Sequence, residues 1–446
     1  MQPLNFKLEP LKVTIPGKYY DSQIYDGKLY LWKADGSILT LDWDRLIDNL
    51  DHVPERLKIT LQFALQAGED LYHNLLFKDN SHRKLILKKF QKLAELQIEI
   101  PPSSLMQFKV TEKDNRLPFP HADSAVHYKT VYVGSQSGVS ASNCGNFIKE
   151  DSSKTDIKKI CDLPVVSLSA SNNILALGGG SEGLYECNLT PDASNLYSPK
   201  PINNKHSSFV RWFYPSIFSS SYEEGLFADF ELTKKNKPKN KDSISVIQEN
   251  SLELFLPLDN SASLNQQIVS SSEKNENKEK DKNNDSKNNR HFKEFFPVDK
   301  IFTNINQSDP PLLTWGVSDK ICLLKKSSID LVKYFPKTKA IKNKFVSIGS
   351  VETKEPIGDI ISADSSFFGI VLEQEDGLLI ITSSLDYIKL PGEPVNWRVF
   401  PKSRNYINQL HVIYEDYLLI YSFNHDFFIN QSDKKIGISF GSKDKE

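Results

Sequence analysis

Residues 130–142, TVYVGSQSGVSAS, pair an apolar run with a turn between Gly134 and Gly138 and a second run of small and β-branched residues. Glycine there supplies the positive φ that tight hairpin loops need, and the flanking Val and Tyr suit a pleated strand, so the stretch reads as a β-hairpin. The unit recurs. KLYLWKADGSILTLDW (28–43) turns at Asp35-Gly36, ILALGGGSEGLYECNL (174–189) between Gly178 and Gly183, and SIFSSSYEEGLFADFEL (216–232) at Glu224-Gly225. TWGVSDKICLL (314–324) turns at Asp319, GIVLEQEDGLLII (369–381) at Asp376-Gly377, and DYLLIYSFNHDFFIN (416–430) near Asn424-His425.

The spacing of these hairpins says more than their number. Gly138 to Gly183 is 45 residues, Gly183 to Gly225 is 42, and Gly377 to His425 is 48. Self-similarity at a period of about 40–50 residues marks four-stranded propeller blades. Asp319 to Gly377 is 58, a blade with a longer loop; Gly36 to Gly138 (102) and Gly225 to Asp319 (94) each hold an insertion. On TVYVGSQSGVSAS and ILALGGGSEGLYECNL the chain resembles the β-propeller superfamily, whose inner-strand hairpins look like these. The resemblance covers most of the chain outside the two insertions. It implies an all-β, seven-bladed β-propeller, with six or eight blades left open, as one domain over residues 1–446. No family within the superfamily is indicated: Trp43-Asp44 occurs once and reads as part of an outer strand, and no kelch double glycine recurs.

The first insertion, 52–98 with its helical part at 54–98, predicts a helical hairpin. Pro54 stands where a first-turn proline belongs, and Leu57, Leu61, Leu65, Tyr72 and Leu75 follow at helical steps. Asp79, Asn80 and Ser81 can cap a second helix, on which Ile86, Phe90, Leu93 and Ala94 share a face before Pro101-Pro102 ends the unit. The second insertion, 270–291, reads SSSEKNENKEKDKNNDSKNNRH; nearly nothing in it can be buried, which predicts a disordered loop between blades.

Composition excludes little by itself. With a net charge of -2 and 39% hydrophobic residues, the chain can bury a large core and gives no global attraction to nucleic acid or anionic membranes. The N-terminus lacks a basic segment followed by an apolar run, and no stretch reaches the roughly 18 apolar residues of a membrane span. Cys144, Cys161, Cys187 and Cys322 form no CxxC pair and no zinc spacing, so they read as reduced core thiols of a cytoplasmic protein.

Motifs with chemical precedent fail on context. Gly178 to Gly183 matches GxGxxG, but a strand, LYECNL, follows where a helix N-terminus would have to receive a phosphate. Gly437 to Gly441 matches GxSxG with only five residues after it, too few for the acid and histidine partners, so KIGISF is expected as a terminal strand that closes the ring or pairs at its edge. The EQEDG turn at 373–377 lacks the ligand series of a calcium loop. His121 and His127 read as polar residues flanking a strand start, and the aromatic run around Phe209, Trp212 and Phe218 as core between blades. No catalytic, cofactor-binding or metal-binding residue is therefore assigned.

Lys84, Lys88 and Lys92 stand at i, i+4 and i+8 on the second predicted helix, a basic stripe opposite the apolar face. They are the candidate partner-binding residues. The leading expectation is a non-enzymatic scaffold or adaptor that presents the helical hairpin to an unknown protein partner. An enzyme or small-ligand binder with its site in the central channel is the alternative, since residues drawn singly from several blades leave no linear motif. Nucleic-acid binding through the lysine face is the third.

Overall fold

The computed structural model describes residues 8–68, 79–113, 117–149, 157–171, 173–189, 198–213, 216–220, 225–232, 290–302, 311–317, 320–335, 345–353, 357–429 and 436. Residues 1–229 and 292–446 make one compact unit; residues 230–291 make another, of which only 230–232 and 290–291 are described.

The chain is an all-β propeller, with six four-stranded sheets and one of five strands. From inner to outer strand, the first blade is Tyr19–Tyr25, Lys28–Lys33, Ile38–Asp42 and Lys109–Lys113. The second is Asp123–His127, Thr130–Ser135, Gly138–Asn143 and Ile157–Cys161; the third is Ser167–Ser171, Ile174–Gly178, Leu184–Asn188 and Pro199–Asn203. The fourth is Phe209–Phe213, Ser216–Ser220, Gly225–Leu232 and Arg290–Pro297. The fifth is Leu313–Val317, Lys320–Leu324, Ser328–Tyr334 and Phe345–Glu352, and the sixth is Ile360–Ser366, Gly369–Gln374, Gly377–Thr382 and Tyr387–Pro391. Each inner strand touches the next around a circle, and the inner strand Asn396–Val399 of the remaining sheet touches those of the sixth and first blades.

The sequence reading of seven hairpin units, with six or eight left open, is corrected: six sheets are four-stranded blades on that plan and the remaining sheet is composite. Asn396–Val399, Gln409–Ile413 and Tyr417–Ser422 are completed by the N-terminal Leu11–Pro16, antiparallel from Leu11↔Ser422 to Pro16↔Tyr417. Stretch 416–430 is thus one strand and a 3₁₀ turn, His425–Phe428, and not a hairpin; its partner comes from the other end of the chain. Five of the six residues of the expected closing strand KIGISF lie outside the described residues, and the N-terminal strand closes the ring. Closure by a remote segment removes an open edge.

Gly138 and Gly183 explain why the hairpin signature recurs. Gly138 begins the third strand of its blade and Gly183 immediately precedes that of the next, both at positive φ (+106° and +99°), where an added Cβ would lie 2.1 Å from Cys161 O or 2.3 Å from Asn203 O of the outer strand. Only glycine fits both demands.

Five helices are described: α1 (Trp43–Asp48), α2 (Glu55–Leu65), α3 (Asn80–Ala94), α4 (Pro102–Gln107) and, far along the chain, α5 (Val298–Ile301). Trp43-Asp44 is not an outer strand. The Asp42 side chain caps Arg45 N, and the Trp43 indole turns inward to donate to Leu65 O at 2.9 Å. Asp79 caps α3 by accepting from Ser81 N and His82 N, as its position predicts. Tyr72 and Leu75 lie outside the described residues, as does 270–289; Arg290 and His291, assigned from sequence to the loop, begin the outer strand of the fourth blade.

Candidate functional site

The helical insert is fastened to the ring by its apolar sides. Leu57, Leu61 and Leu65 of α2 and Leu87, Phe90 and Leu93 of α3 are buried in one cluster with Val13 and Ile15 of the closing strand and with Leu418 and Ile420. Phe90 meets Phe428 edge to face at 5.9 Å, and Arg83 donates to Phe427 O at 2.9 Å. The carbonyls ending α2 are satisfied by the ring: Ala64 O accepts from Asn408 and Ser422, and Leu65 O from Gln409 and Trp43. After α3, Gln97–Glu99 joins Leu11–Pro16 as a parallel strand. Among the described residues, the buried apolar side chains of both helices are therefore covered by the ring.

What the insert offers outward is α3's polar face. Lys84, Lys88 and Lys92 are all exposed, and Leu85 stands 55% exposed beside them. Residues 80–94, NSHRKLILKKFQKLA, contain no carboxylate to neutralise that face. The three sequence-predicted residues thus share one accessible surface.

The second candidate is a polar network that joins several blades, some adjacent and some not. Arg398 of the closing sheet reaches Asp21 Oδ1 of the first blade (3.0 Å) and, beyond it, Asp123 Oδ1 (3.2 Å) and Ser124 O (2.9 Å) of the second. Asp21 also accepts from Ser124 Oγ (2.5 Å) and contacts His121 Nε2 (2.9 Å). Arg211 of the fourth blade pairs with Asp364 of the sixth at 2.5 Å. Lys402, beyond the inner strand of the closing sheet, donates to Ser169 Oγ (2.9 Å) and Ala170 O (2.8 Å) of the third blade. His121, read from sequence as an ordinary polar residue at a strand start, is a buried member of this network.

Burial would raise the Asp21 carboxyl, but the Arg398 guanidinium and the hydrogen bonds from His121 and Ser124 outweigh it and hold it well below the usual carboxylate range. Lys402 is exposed as a residue, yet desolvation of its amine, with the Arg211 charge adding and Asp364 opposing, pushes it down to about 7. Desolvation, with Lys402 nearby, lowers His127 to about 4; desolvation and Arg398 lower His411 to about 3 against the pull of Asp21.

These shifts set a pH dependence. Both histidines are neutral in the folded ring, so below about pH 6.5 the unfolded chain takes up protons that the folded one refuses. Their contribution is complete above the unfolded value and is lost as pH falls toward 4 and 3, and Asp21 extends the loss into more acidic solution. The urea midpoint is expected to fall steadily from pH 6.5 to 4, and His127→Asn to make that fall shallower. A midpoint flat over this interval would contradict the burial of these rings.

Sequence reasoning missed the network because each blade contributes one or two ordinary polar residues. The legible signal was weak: Ser and Asp recurring in inner strands such as SLSAS (167–171) and IISADSS (360–366), where a simple blade core predicts aliphatics. Other motifs behave as read. Gly178 to Gly183 is a hairpin turn, and Glu375 and Asp376 are a solvated tip. Trp212 and Phe218 are buried, and the four cysteines are free and buried. Among the described residues no group of His, Cys, Asp and Glu could hold a metal ion, and no helix is long and apolar enough to cross a membrane.

Among solved structures the chain is similar to a computationally designed protein, Ika8, at 7% identity over 93% of this chain and 99% of that one (TM-score 0.43). It is similar to the WD40 domain of Neurospora crassa Pan2 at 6% identity over 91% and 89% (TM-score 0.43). A chain of the mitotic checkpoint complex shares 10% identity over 95% and 94% (TM-score 0.40). No protein-family profile matches the chain, and neither does any curated protein.

Proposed function

We propose that this chain is a non-enzymatic protein-interaction scaffold of the cytoplasm, which presents the outward face of α3 to an acidic segment of a partner protein. The observation that carries the reading is the exposed row Lys84, Lys88 and Lys92 with Leu85, on a helix whose opposite side is locked into the ring core. A surface held rigid before binding loses little conformational entropy on association. Four buried, unpaired cysteines suit a reducing compartment. The channel alternative is disfavoured because Asp21, Arg398, Asp123, Arg211 and Asp364 already engage one another.

Reversing the three lysines to glutamate is expected to weaken partner recovery in affinity purification about 10- to 100-fold, since each exposed pair is worth roughly 0.2–1 kcal/mol and reversal adds repulsion. Folding should be unaffected, the three side chains being exposed. Undiminished recovery of every partner would refute the reading. If nucleic acid were the ligand instead, affinity would fall with a log–log salt slope of about -3, one unit per lysine, and the same variant would abolish it.

A further inference from the structure

Outer strands of a propeller expose a row of unpaired N–H and C=O groups, which proteins protect with charge, proline or a bulge. In this chain the outer strands of the other blades carry charge or proline: KVTEK (109–113), IKKIC (157–161), PKPIN (199–203), RHFKEFFP (290–297) and YIKLP (387–391). The fifth blade differs. Its outer strand, FVSIGSVE (345–352), holds no charge and no proline over its first seven residues. Val346, Ser347, Ile348, Gly349 and Ser350 are exposed in succession, Val346 to 39% and Ile348 to 40%. Among the described residues it carries a single irregularity, a bulge. Gly349 pairs with Leu331 and Ser347 with Val332, so Ile348 is opposite no residue of its own sheet. A Cβ built on Gly349 would meet nothing within 4 Å, so the space at Gly349 is open among the described residues.

We infer that this strand is an interface for a second copy of the chain, the two strands pairing antiparallel about a two-fold axis at Ser347. The self-complementarity of the segment favours that occupant. With the axis at Ser347, Val346 lies opposite Ile348 of the second copy and Phe345 opposite its Gly349. Two β-branched pairs then meet, while the Phe345 ring stays packed on Phe296 of the fourth blade and Tyr334 of its own. Being neutral over 345–351, the strand brings no like charges together, which a self-pairing KVTEK or IKKIC would do. A C2 interface uses the same patch twice, as this arrangement does. The contact is one short strand pair, well under the area of a stable dimer, so the association is concentration-dependent, with a dissociation constant on the order of 10–100 µM. It involves a surface distinct from the lysine face of α3, so either reading can fail without the other.

Sedimentation velocity of the full chain across that concentration range should show a monomer passing into a dimer, and Ile348→Lys should abolish the dimer while leaving the thermal midpoint unchanged. Ser347→Cys supplies a second readout, because the four native cysteines are buried. Mild oxidation should link two Ser347→Cys chains, each cysteine facing its own counterpart, and should not link Ser350→Cys chains. Should Ile348→Lys fail to fold, the cysteine pair decides alone. A monomer at every concentration, a dimer indifferent to Ile348→Lys, or an edge that binds an added extended peptide without self-association would each overturn the inference.

Discussion

Replacing Arg398 with methionine should destabilise the ring by about 3–5 kcal/mol, the cost of breaking one partner out of a buried ion pair. Arg398 connects the closing sheet with the first and second blades, and Asp21 is 1% exposed. Without the guanidinium, Asp21 keeps its desolvation cost and loses its main counter-charge, so its carboxyl moves from well below the usual range toward protonation. The pair itself need not be a net source of stability, because two buried charges are expensive to desolvate together. The double variant Asp21→Asn/Arg398→Met is therefore expected to be less destabilised than the sum of its singles, with a coupling of about 0.5–3 kcal/mol. Urea denaturation of the four proteins measures this. A loss under about 1 kcal/mol for Arg398→Met would show that the network is dispensable.

Phe90→Ala should cost about 3–5 kcal/mol, although Phe90 lies in an insertion that a bare ring does not need. Its ring is 2% exposed, packed edge to face on Phe428 and surrounded by residues of the closing sheet, so truncation leaves a cavity in the shared core. Leu85→Ala, five residues earlier and 55% exposed, is the control and should shift stability by less than about 0.5 kcal/mol. Replacing 54–98 by a flexible linker should leave no stably folded ring, since it removes Leu57, Leu61, Leu65, Leu87 and Leu93 from that core and the parallel strand containing Ile98. Thermal and urea unfolding of the three variants test this. Equal effects of Phe90→Ala and Leu85→Ala would mean that α3 is not part of the core.

The hairpins were legible because they are local. A turn glycine at positive φ and alternating apolar residues lie within about a dozen positions, and repetition at a near-constant spacing turns a weak local signal into a fold. The helices of the insert were legible for the same reason, through Asp79 at a cap and leucines at helical steps. Trp43-Asp44 misled because a strand ends at Asp42 and a capped turn begins immediately, a boundary that propensity does not mark.

The sequence by itself determined the all-β character, the hairpin period, the place of the helical insert and the exposed lysine row, all properties of residues close together in the chain. Only the tertiary structure decided which strand closes the ring, that the buried apolar side chains of the insert belong to the ring core, and that Asp21, His121, Asp123, Arg211, Asp364, Arg398 and Lys402 make polar contacts between blades. Those contacts join residues up to some 400 positions apart. Such pairings depend on how blades are ordered around a circle, which no local pattern of side chains encodes.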